Sequence, residues 1–196
     1  MVARHKVLAN GGRQIISLHI PGDMPDLHSL FVDRMDHSLS AIAPARIMAI
    51  PHAVIRKVLR THQVLCEISW RDTLIDAAIF RERLISLGRR SARAGIAHFF
   101  CETMTRMKAV GLTEGHTCGF PLTQEDIGDV TGFSAVHVNR TLQELRAEGL
   151  IEIGQGSLTV LEWRRLAEVG EFDPAYLHQP SETPPSSAIG GDALDC

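Results

Sequence analysis

Residues 121–149 read PLTQEDIGDVTGFSAVHVNRTLQELRAEG and contain two helical patterns separated by a short break. This arrangement predicts a helix-turn-helix. Thr123 is a suitable N-cap for the first helix, and Asp126 three residues later gives nearly a capping box. Gly132 allows the left-handed backbone of a steep turn, and Ser134 caps the second helix.

The second helix, over residues 135–148, is expected to bury one face and expose the other. Val138, Leu142 and Leu145 lie four and three residues apart and should face the core. Arginine pairs with guanine and Asn or Gln with adenine in the major groove, so Arg140 is the first candidate for base contact. The candidate DNA-binding residues are Ser134, Ala135, Val136, His137, Asn139, Arg140 and Gln143.

A two-stranded wing is predicted directly after this helix. Residues 150–153 and 157–160 alternate in polarity around Gly154-Gln155-Gly156. The order helix, recognition helix, wing is more specific than the helix-turn-helix pattern alone, since any helical hairpin with a glycine turn imitates that pattern.

With these motifs, the sequence resembles the Crp/Fnr family of bacterial transcription regulators over nearly its whole length. The resemblance is strongest in residues 122–151 and in residues 13–42, RQIISLHIPGDMPDLHSLFVDRMDHSLSAI. It implies an α+β fold with a partial, jelly-roll-like β-roll of the cyclic-nucleotide-binding type, a long dimerisation helix and a C-terminal winged helix-turn-helix. The expected divisions are residues 1–60, 61–88 and 89–178, followed by a Pro- and Ser-rich tail at 179–196 that we expect to be disordered.

Three recognition-helix positions contact bases in the family, and they fall here on Ala135, Val136 and Arg140. The arginine alone keeps the type that the resemblance implies. Because Ala and Val lack hydrogen-bonding side chains, we expect a different operator sequence. His137 and Asn139 are further candidates for phosphate or base contacts.

The family's phosphate-binding cassette maps onto residues of different chemistry. The glycine-acidic turn is Gly22-Asp23, the arginine position falls on His37 ahead of Ser38, and Arg34 lies one helical turn earlier. Losing the bidentate cation argues against tight cyclic-nucleotide binding. These five residues are the candidate effector pocket, and we expect the β-roll to serve mainly as a scaffold. By the family pattern, we also expect the chain to begin in the middle of the sensor domain.

The N-terminal segment is expected to form strands. These strands are residues 4–8, 14–20, 38–42 and 47–50, with a short helix within 24–37. Asn10-Gly11-Gly12 predicts a two-residue hairpin turn between the first two strands.

Two long helices are expected in the middle of the chain. Residues 61–87 contain no Gly or Pro and would span about 40 Å. Two apolar stripes on this helix suggest two packing partners, the chain's own sheet and the same helix of a second subunit. A further helix over residues 91–110 carries apolar residues at core spacing.

Composition limits the remaining possibilities. A net charge of −3 over 196 residues excludes a histone-like DNA coat but allows a local basic face, where Arg89 and Arg90 are candidate phosphate neighbours. The four cysteines form no CxxC pair, and His116 with Cys118 has too few neighbouring ligands, so no metal or cofactor is expected. No apolar run approaches the roughly 20 residues of a membrane span, which favours a cytoplasmic protein.

Two functions follow from these observations. The first is a homodimeric regulator that reads a pseudo-palindromic operator in double-stranded DNA, with RNA polymerase as a candidate partner. The alternative is a small-molecule or cofactor-sensing module with weak or lost DNA binding. An enzyme has little support, because Ser29, His28 and Asp33 share one short segment and lack an oxyanion loop.

Overall fold

The computed structural model describes residues 1–179. The disorder predicted for residues 179–196 falls outside this range, apart from residue 179 itself. The fold mixes helices with two antiparallel sheets, as the α+β prediction required. The first sheet contains β1 (Val2–Val7), β2 (Arg13–His19) and β3 (Ser38–Ala41) in the order β2-β1-β3. It is an open sheet and does not close into a barrel within the described residues.

The hairpin between β1 and β2 lies where the sequence placed it, but the prediction of a two-residue turn is wrong. Val7 pairs with Arg13, so residues 8–12 form the loop. Gly11 has a φ of +83°, and the Asn10 side chain accepts a hydrogen bond from the Gly12 N–H at 3.0 Å. Because Asn10 bonds its own loop in this way, the Asn-Gly pair closes a longer turn.

Two other expectations for this region are wrong. The helix expected within residues 24–37 is a single 3-10 turn over Leu27–Leu30. Residues 47–50 form no strand, and Ile47 and Met48 are 68% and 83% exposed. No described strand lies beside residues 47–50 to share backbone hydrogen bonds, so their β propensity does not produce a strand.

The long helix begins two residues later than expected, after a break that the sequence did not reveal. α1 (His52–Thr61) ends before His62, whose φ of −134° and ψ of 92° are extended. α2 (Gln63–Gly88) then runs for 26 residues, about 39 Å. The Thr61 hydroxyl donates to the Lys57 carbonyl at 2.9 Å, a local bond that competes with continued helix.

α2 has one covered face and one exposed face. Ala78, Ile79, Arg83 and Ser86 are buried against the body of the chain. The second apolar stripe faces outward, with exposed fractions of 65% for Trp70, 60% for Leu74 and 68% for Leu84. Of the 179 described residues, none belongs to a helix long and apolar enough to cross a membrane.

The centre of the fold is α3 (Ala92–Ala109), which is buried on almost every side. Its residues from Ala94 to Met104 are all buried, in an unbroken run of eleven. One continuous hydrophobic cluster joins α3 to the inner face of the first sheet and to the C-terminal helices. The helix begins after Ser91, which caps it by accepting a hydrogen bond from the Ala94 N–H at 3.2 Å.

The C-terminal part contains the predicted helix-turn-helix and a larger sheet than expected. α4 (Gln124–Thr131) and α5 (Ala135–Ala147) precede the wing strands β6 (Ile151–Gly154) and β7 (Ser157–Val160). Two short strands not predicted, β4 (Thr113–Glu114) and β5 (Thr117–Gly119), extend the sheet in the order β4-β5-β7-β6. α6 (Trp163–Val169) and a 3-10 turn over Pro174–Leu177 complete the fold.

Buried charges on α3 are paired with groups from other elements. Glu102 accepts hydrogen bonds from Arg83 of α2 at 3.1 Å and from the Tyr176 hydroxyl at 2.8 Å. His98 contacts the Gly170 carbonyl through Nδ1 at 3.0 Å, and burial lowers the pKa of its imidazole. These contacts fasten the dimer-helix candidate α2 and the C-terminal turn to the same helix.

An ionic contact joins the first sheet to the helix-turn-helix. Arg13 of β2 donates to Asp129 and to Asp126 of α4, both at 2.6 Å. Burial raises the pKa of Asp126, but hydrogen bonds from Thr123 and Arg13 outweigh it and lower the pKa overall from 3.8. The stabilising contribution of Asp126 is therefore present above pH 3.8 and is lost as the pH falls through the lowered pKa.

We expect Arg13→Ala to lower the free energy of unfolding by about 1–3 kcal/mol, because two charge-assisted hydrogen bonds are lost together. Lys6→Ala is the matched control, since Lys6 pairs with Asp36 at 3.2 Å in an exposed site and should cost less than about 1 kcal/mol. Urea unfolding at pH 7 measures both. Equal losses for the two variants would contradict the role given to Arg13.

Candidate nucleic-acid interface

The first helix of the helix-turn-helix is fixed at its start by the predicted capping box. The Asp126 N–H donates to the Thr123 hydroxyl at 3.1 Å, and the Thr123 N–H donates to the Asp126 carboxylate at 2.9 Å. Both bonds satisfy backbone donors that an isolated helix would leave unpaired. Arg13 adds a third partner to this carboxylate, a long-range contact that the local sequence pattern could not reveal.

The turn between α4 and α5 depends on two glycines. Gly132 adopts the predicted left-handed conformation, with φ of +77°. Gly128 was not predicted to matter, yet a Cβ there would lie 2.5 Å from the carbonyl oxygen of Phe133. A glycine inside a helical pattern with no capping role is the sequence signal for such close backbone approach. Together, Gly128 and Gly132 let α5 start at a steep angle to α4 while the turn packs closely against α4.

α5 is amphipathic in the predicted register. Val138, Leu142 and Leu145 are at most 1% exposed. On the opposite side Val136 is 82% exposed, and the Arg140 side chain is 68% exposed with its Nε 3.8 Å from Glu144. The other candidate residues exposed to solvent are Ser134, Ala135, Asn139 and Gln143.

His137 differs from the other candidates because it is half-buried. The His137 ring centroid lies 5.2 Å from that of Phe133 in the turn. The backbone N–H of His137 donates to the hydroxyl of the capping residue Ser134 at 3.3 Å. The structure therefore places six of the seven candidates on open surface and the seventh partly against the turn.

Arginines around this face are divided between internal pairs and free surface. Arg90 donates to Glu82 at 2.6 Å and to Ser86 at 2.8 Å, and its side chain is 8% exposed. Its expected role as a phosphate neighbour is therefore wrong, whereas Arg89 is exposed. Arg93 binds Glu148, at the end of α5, through both terminal nitrogens, which fixes that end of the helix to α3.

The candidate effector residues do not gather around one cavity. A cavity of about 180 Å³ lies between β2, α2 and α3, and Asp23 is the one member of the five that lines it. Asp23 accepts hydrogen bonds from Arg106 and the Ile20 N–H, both at 2.8 Å. Gly22, Arg34 and Ser38 are exposed, and His37 contacts Asp36 at 3.0 Å. A phosphate beside Asp23 would meet the negative charge of its carboxylate. The neighbouring cation, Arg106, is already bound to that carboxylate.

Cysteines and metal ligands offer no alternative site in residues 1–179. Burial raises the pKa of Cys101 to about 12 and that of Cys118 to about 11, so both thiols are protonated at neutral pH. Cys66 is half-buried. No described group of three or more His, Cys, Asp or Glu side chains is placed to hold a metal ion.

Known proteins share this arrangement. Residues 96–169 match the Crp-like helix-turn-helix domain. The nitrogen fixation regulation protein FixK of Bradyrhizobium diazoefficiens is 26% identical over 163 residues, which are 83% of this chain and 67% of that protein. The transcriptional activatory protein AadR of Rhodopseudomonas palustris is 28% identical over 82% of this chain and 66% of that protein.

The chain thus contains a Crp-like helix-turn-helix domain over residues 96–169 and is similar to transcription regulators such as FixK and AadR. The structure of FixK2 from Bradyrhizobium japonicum has the same fold, with a TM-score of 0.67 at 22% identity, over 86% of this chain and 82% of that one. The chain spans about two thirds of the length of the Crp/Fnr relatives named above.

We expect Gly128→Ala to lower the free energy of unfolding by about 1–3 kcal/mol, because the new methyl group collides with backbone. Gly154→Ala is the control, since nothing lies within 4 Å of a Cβ there and φ is not positive. Thermal unfolding followed by circular dichroism measures both. A Gly128→Ala protein as stable as the control would show that the turn does not depend on this contact.

Proposed function

We propose that this protein is a sequence-specific DNA-binding regulator that inserts α5 into the major groove. The observation that carries the proposal is the outward stripe of Val136, Arg140 and Gln143, four and three residues apart, opposite three fully buried residues. A helix so exposed beside a two-stranded wing is presented to a partner, and the family places DNA there. With a net charge of −3, affinity depends on this local surface and on phosphate contacts such as Arg89.

The seven candidate DNA-binding residues divide by the chemistry that they bring to DNA. Arg140 is assigned to guanine, and Asn139 and Gln143 are assigned to adenine or phosphate. Ser134 and His137 flank the helix N-terminus, where N–H groups and the helix dipole favour a phosphate. Ala135 and Val136 bring methyl groups alone.

We further propose that two copies of the chain associate through α2 to read a pseudo-palindromic site. The exposed stripe of Trp70, Leu74 and Leu84 has spacings of four and then ten residues, which keep one side of a helix facing a parallel partner. A two-fold axis would present two α5 helices to successive major grooves, about 34 Å apart. One helix alone contacts too few base pairs to select a genomic site.

The remaining parts of the proposal follow from this activity. A DNA-binding regulator works in the cytoplasm, acts by binding and not by catalysis, and has RNA polymerase as its candidate protein partner. The effector residues Gly22, Asp23, Arg34, His37 and Ser38 stay a prediction, and their separation in the structure supports a sheet that acts mainly as scaffold.

The alternative function is a sensing module with weak DNA binding. The cavity of about 180 Å³ between sheet and helices favours it. Four charged groups of its lining are paired with each other, Arg4 with Asp76 and Arg106 with Asp23, each at 2.8 Å, which leaves fewer groups for a ligand. Thermal shift with cyclic nucleotides and an absorption spectrum for haem separate this alternative from the first.

We expect Arg140→Ala to weaken binding to a selected DNA site at least tenfold and to relax the requirement for guanine at one position, since a bidentate contact discriminates by about 1–3 kcal/mol. Gel-shift titration at moderate salt, on selected and random duplexes, measures the effect. Arg46→Ala, which removes the same charge from an exposed loop, should keep the guanine requirement. If wild type and Arg140→Ala bind both duplexes alike, base recognition by Arg140 is wrong.

We expect Leu74→Glu combined with Leu84→Glu to convert a dimer to a monomer at micromolar concentration, because both charges would be buried at the seam. Analytical ultracentrifugation gives the mass. Leu8→Glu is the control, because Leu8 is also 60% exposed but lies in the β1–β2 loop. A dimer that survives the double change places the interface elsewhere.

A further inference from the structure

Val136 is the most exposed large apolar side chain of the helix-turn-helix, at 82%. It occupies the second position of α5, one turn before Arg140, and Ala135 beside it is also exposed. Nothing in the fold explains an apolar residue at this position, because the buried face of α5 is formed by Val138, Leu142 and Leu145.

The position of Val136 determines what it can touch in a complex. The N-terminal residues of a recognition helix approach the base edges most closely, whereas later turns lie nearer the backbone. A valine can neither donate nor accept a hydrogen bond. In the major groove the apolar group on a base edge is the 5-methyl of thymine, which stands out from the acceptors and donors around it.

Arg140 fixes which bases lie near that methyl. Residues 136 and 140 are four apart and so share one stripe of α5. The Arg140 Nε lies 3.8 Å from Glu144, and 68% of the Arg140 side chain is exposed, so its guanidinium is accessible to a ligand. The valine methyl groups and the guanidinium therefore face neighbouring base pairs.

We propose that Val136 recognises the 5-methyl group of a pyrimidine close to the guanine that Arg140 binds. This inference rests on the proposed DNA-binding function. Since valine cannot distinguish the thymine O4 acceptor from the cytosine N4 donor, thymine and 5-methylcytosine are equivalent to it. Uracil and unmethylated cytosine bind more weakly, so cytosine methylation at this position strengthens binding.

The test uses the full chain and a duplex selected by the wild-type protein from random DNA. Each thymine is replaced in turn by deoxyuridine, which removes the methyl and keeps every hydrogen-bonding group. We expect one position per half-site to lose about fourfold in affinity, the equivalent of about 0.8 kcal/mol for one methyl group. Changing both half-sites should cost about fifteenfold, because separated positions add. Replacement by 5-methylcytosine, paired with guanine, should keep the affinity within about twofold of thymine.

Variants assign the effect to the side chain. Val136→Ala should reduce the thymine-to-uracil ratio from about four to about one, while 7-deazaguanine at the Arg140 position still weakens binding. Val110→Ala, a truncation of a valine that is 48% exposed at the end of α3, should leave the ratio unchanged.

The outcomes separate this inference from the proposed function. If the wild-type protein selects no sequence, both fail. If it selects a guanine-dependent site but no uracil replacement acts through Val136, DNA reading stands and methyl recognition is overturned. If 5-methylcytosine binds no better than cytosine at the sensitive position, the contact depends on hydrogen bonds and the inference is also overturned.

Discussion

The burial of the central turns of α3 is the constraint on which the rest of the fold depends. Eleven successive residues, from Ala94 to Met104, are enclosed, so partners must approach this helix from every direction. α2 and the winged helix-turn-helix pack directly against α3, and the first sheet joins the same hydrophobic cluster, with β2 packed on α4. A helix enclosed in this way needs each of its polar side chains to be paired internally, because an unpaired polar group costs several kcal/mol in such a place.

That requirement explains where the chain uses its long-range polar contacts. Glu102 takes hydrogen bonds from Arg83 and Tyr176, which precede and follow it in the sequence by 19 and 74 residues. Arg106 reaches the Leu18 carbonyl at 2.9 Å and the carboxylate of Asp23. The sheet, the long helix and the C-terminal turn are thus held to α3 by charge as well as by apolar contact, and Arg13 repeats the pattern at α4.

Local determinants explain which features the sequence could predict. The capping box at Thr123, the left-handed Gly132 and the buried face of α5 each depend on residues within a few positions, so spacing is sufficient. Contacts that depend on how one element is placed against the next explain the failures. Residues 47–50 have strand propensity but no neighbouring strand. Arg90 looks unpaired in the sequence, because folding alone places Glu82 beside it. The same reason hid the clash at Gly128, where the colliding atom belongs to the next turn.

The shared core around α3 determines what a minimal fragment of this protein could be. Cutting the chain before α3 would leave the winged domain with its local caps and turns intact, yet the surface that Ile15, Leu18 and Ile20 now cover would become solvent-facing. Such a fragment would present a contiguous apolar patch and tend to self-associate. An isolated winged helix-turn-helix therefore needs polar substitutions on the surface that β2 now covers, or has to include the first sheet.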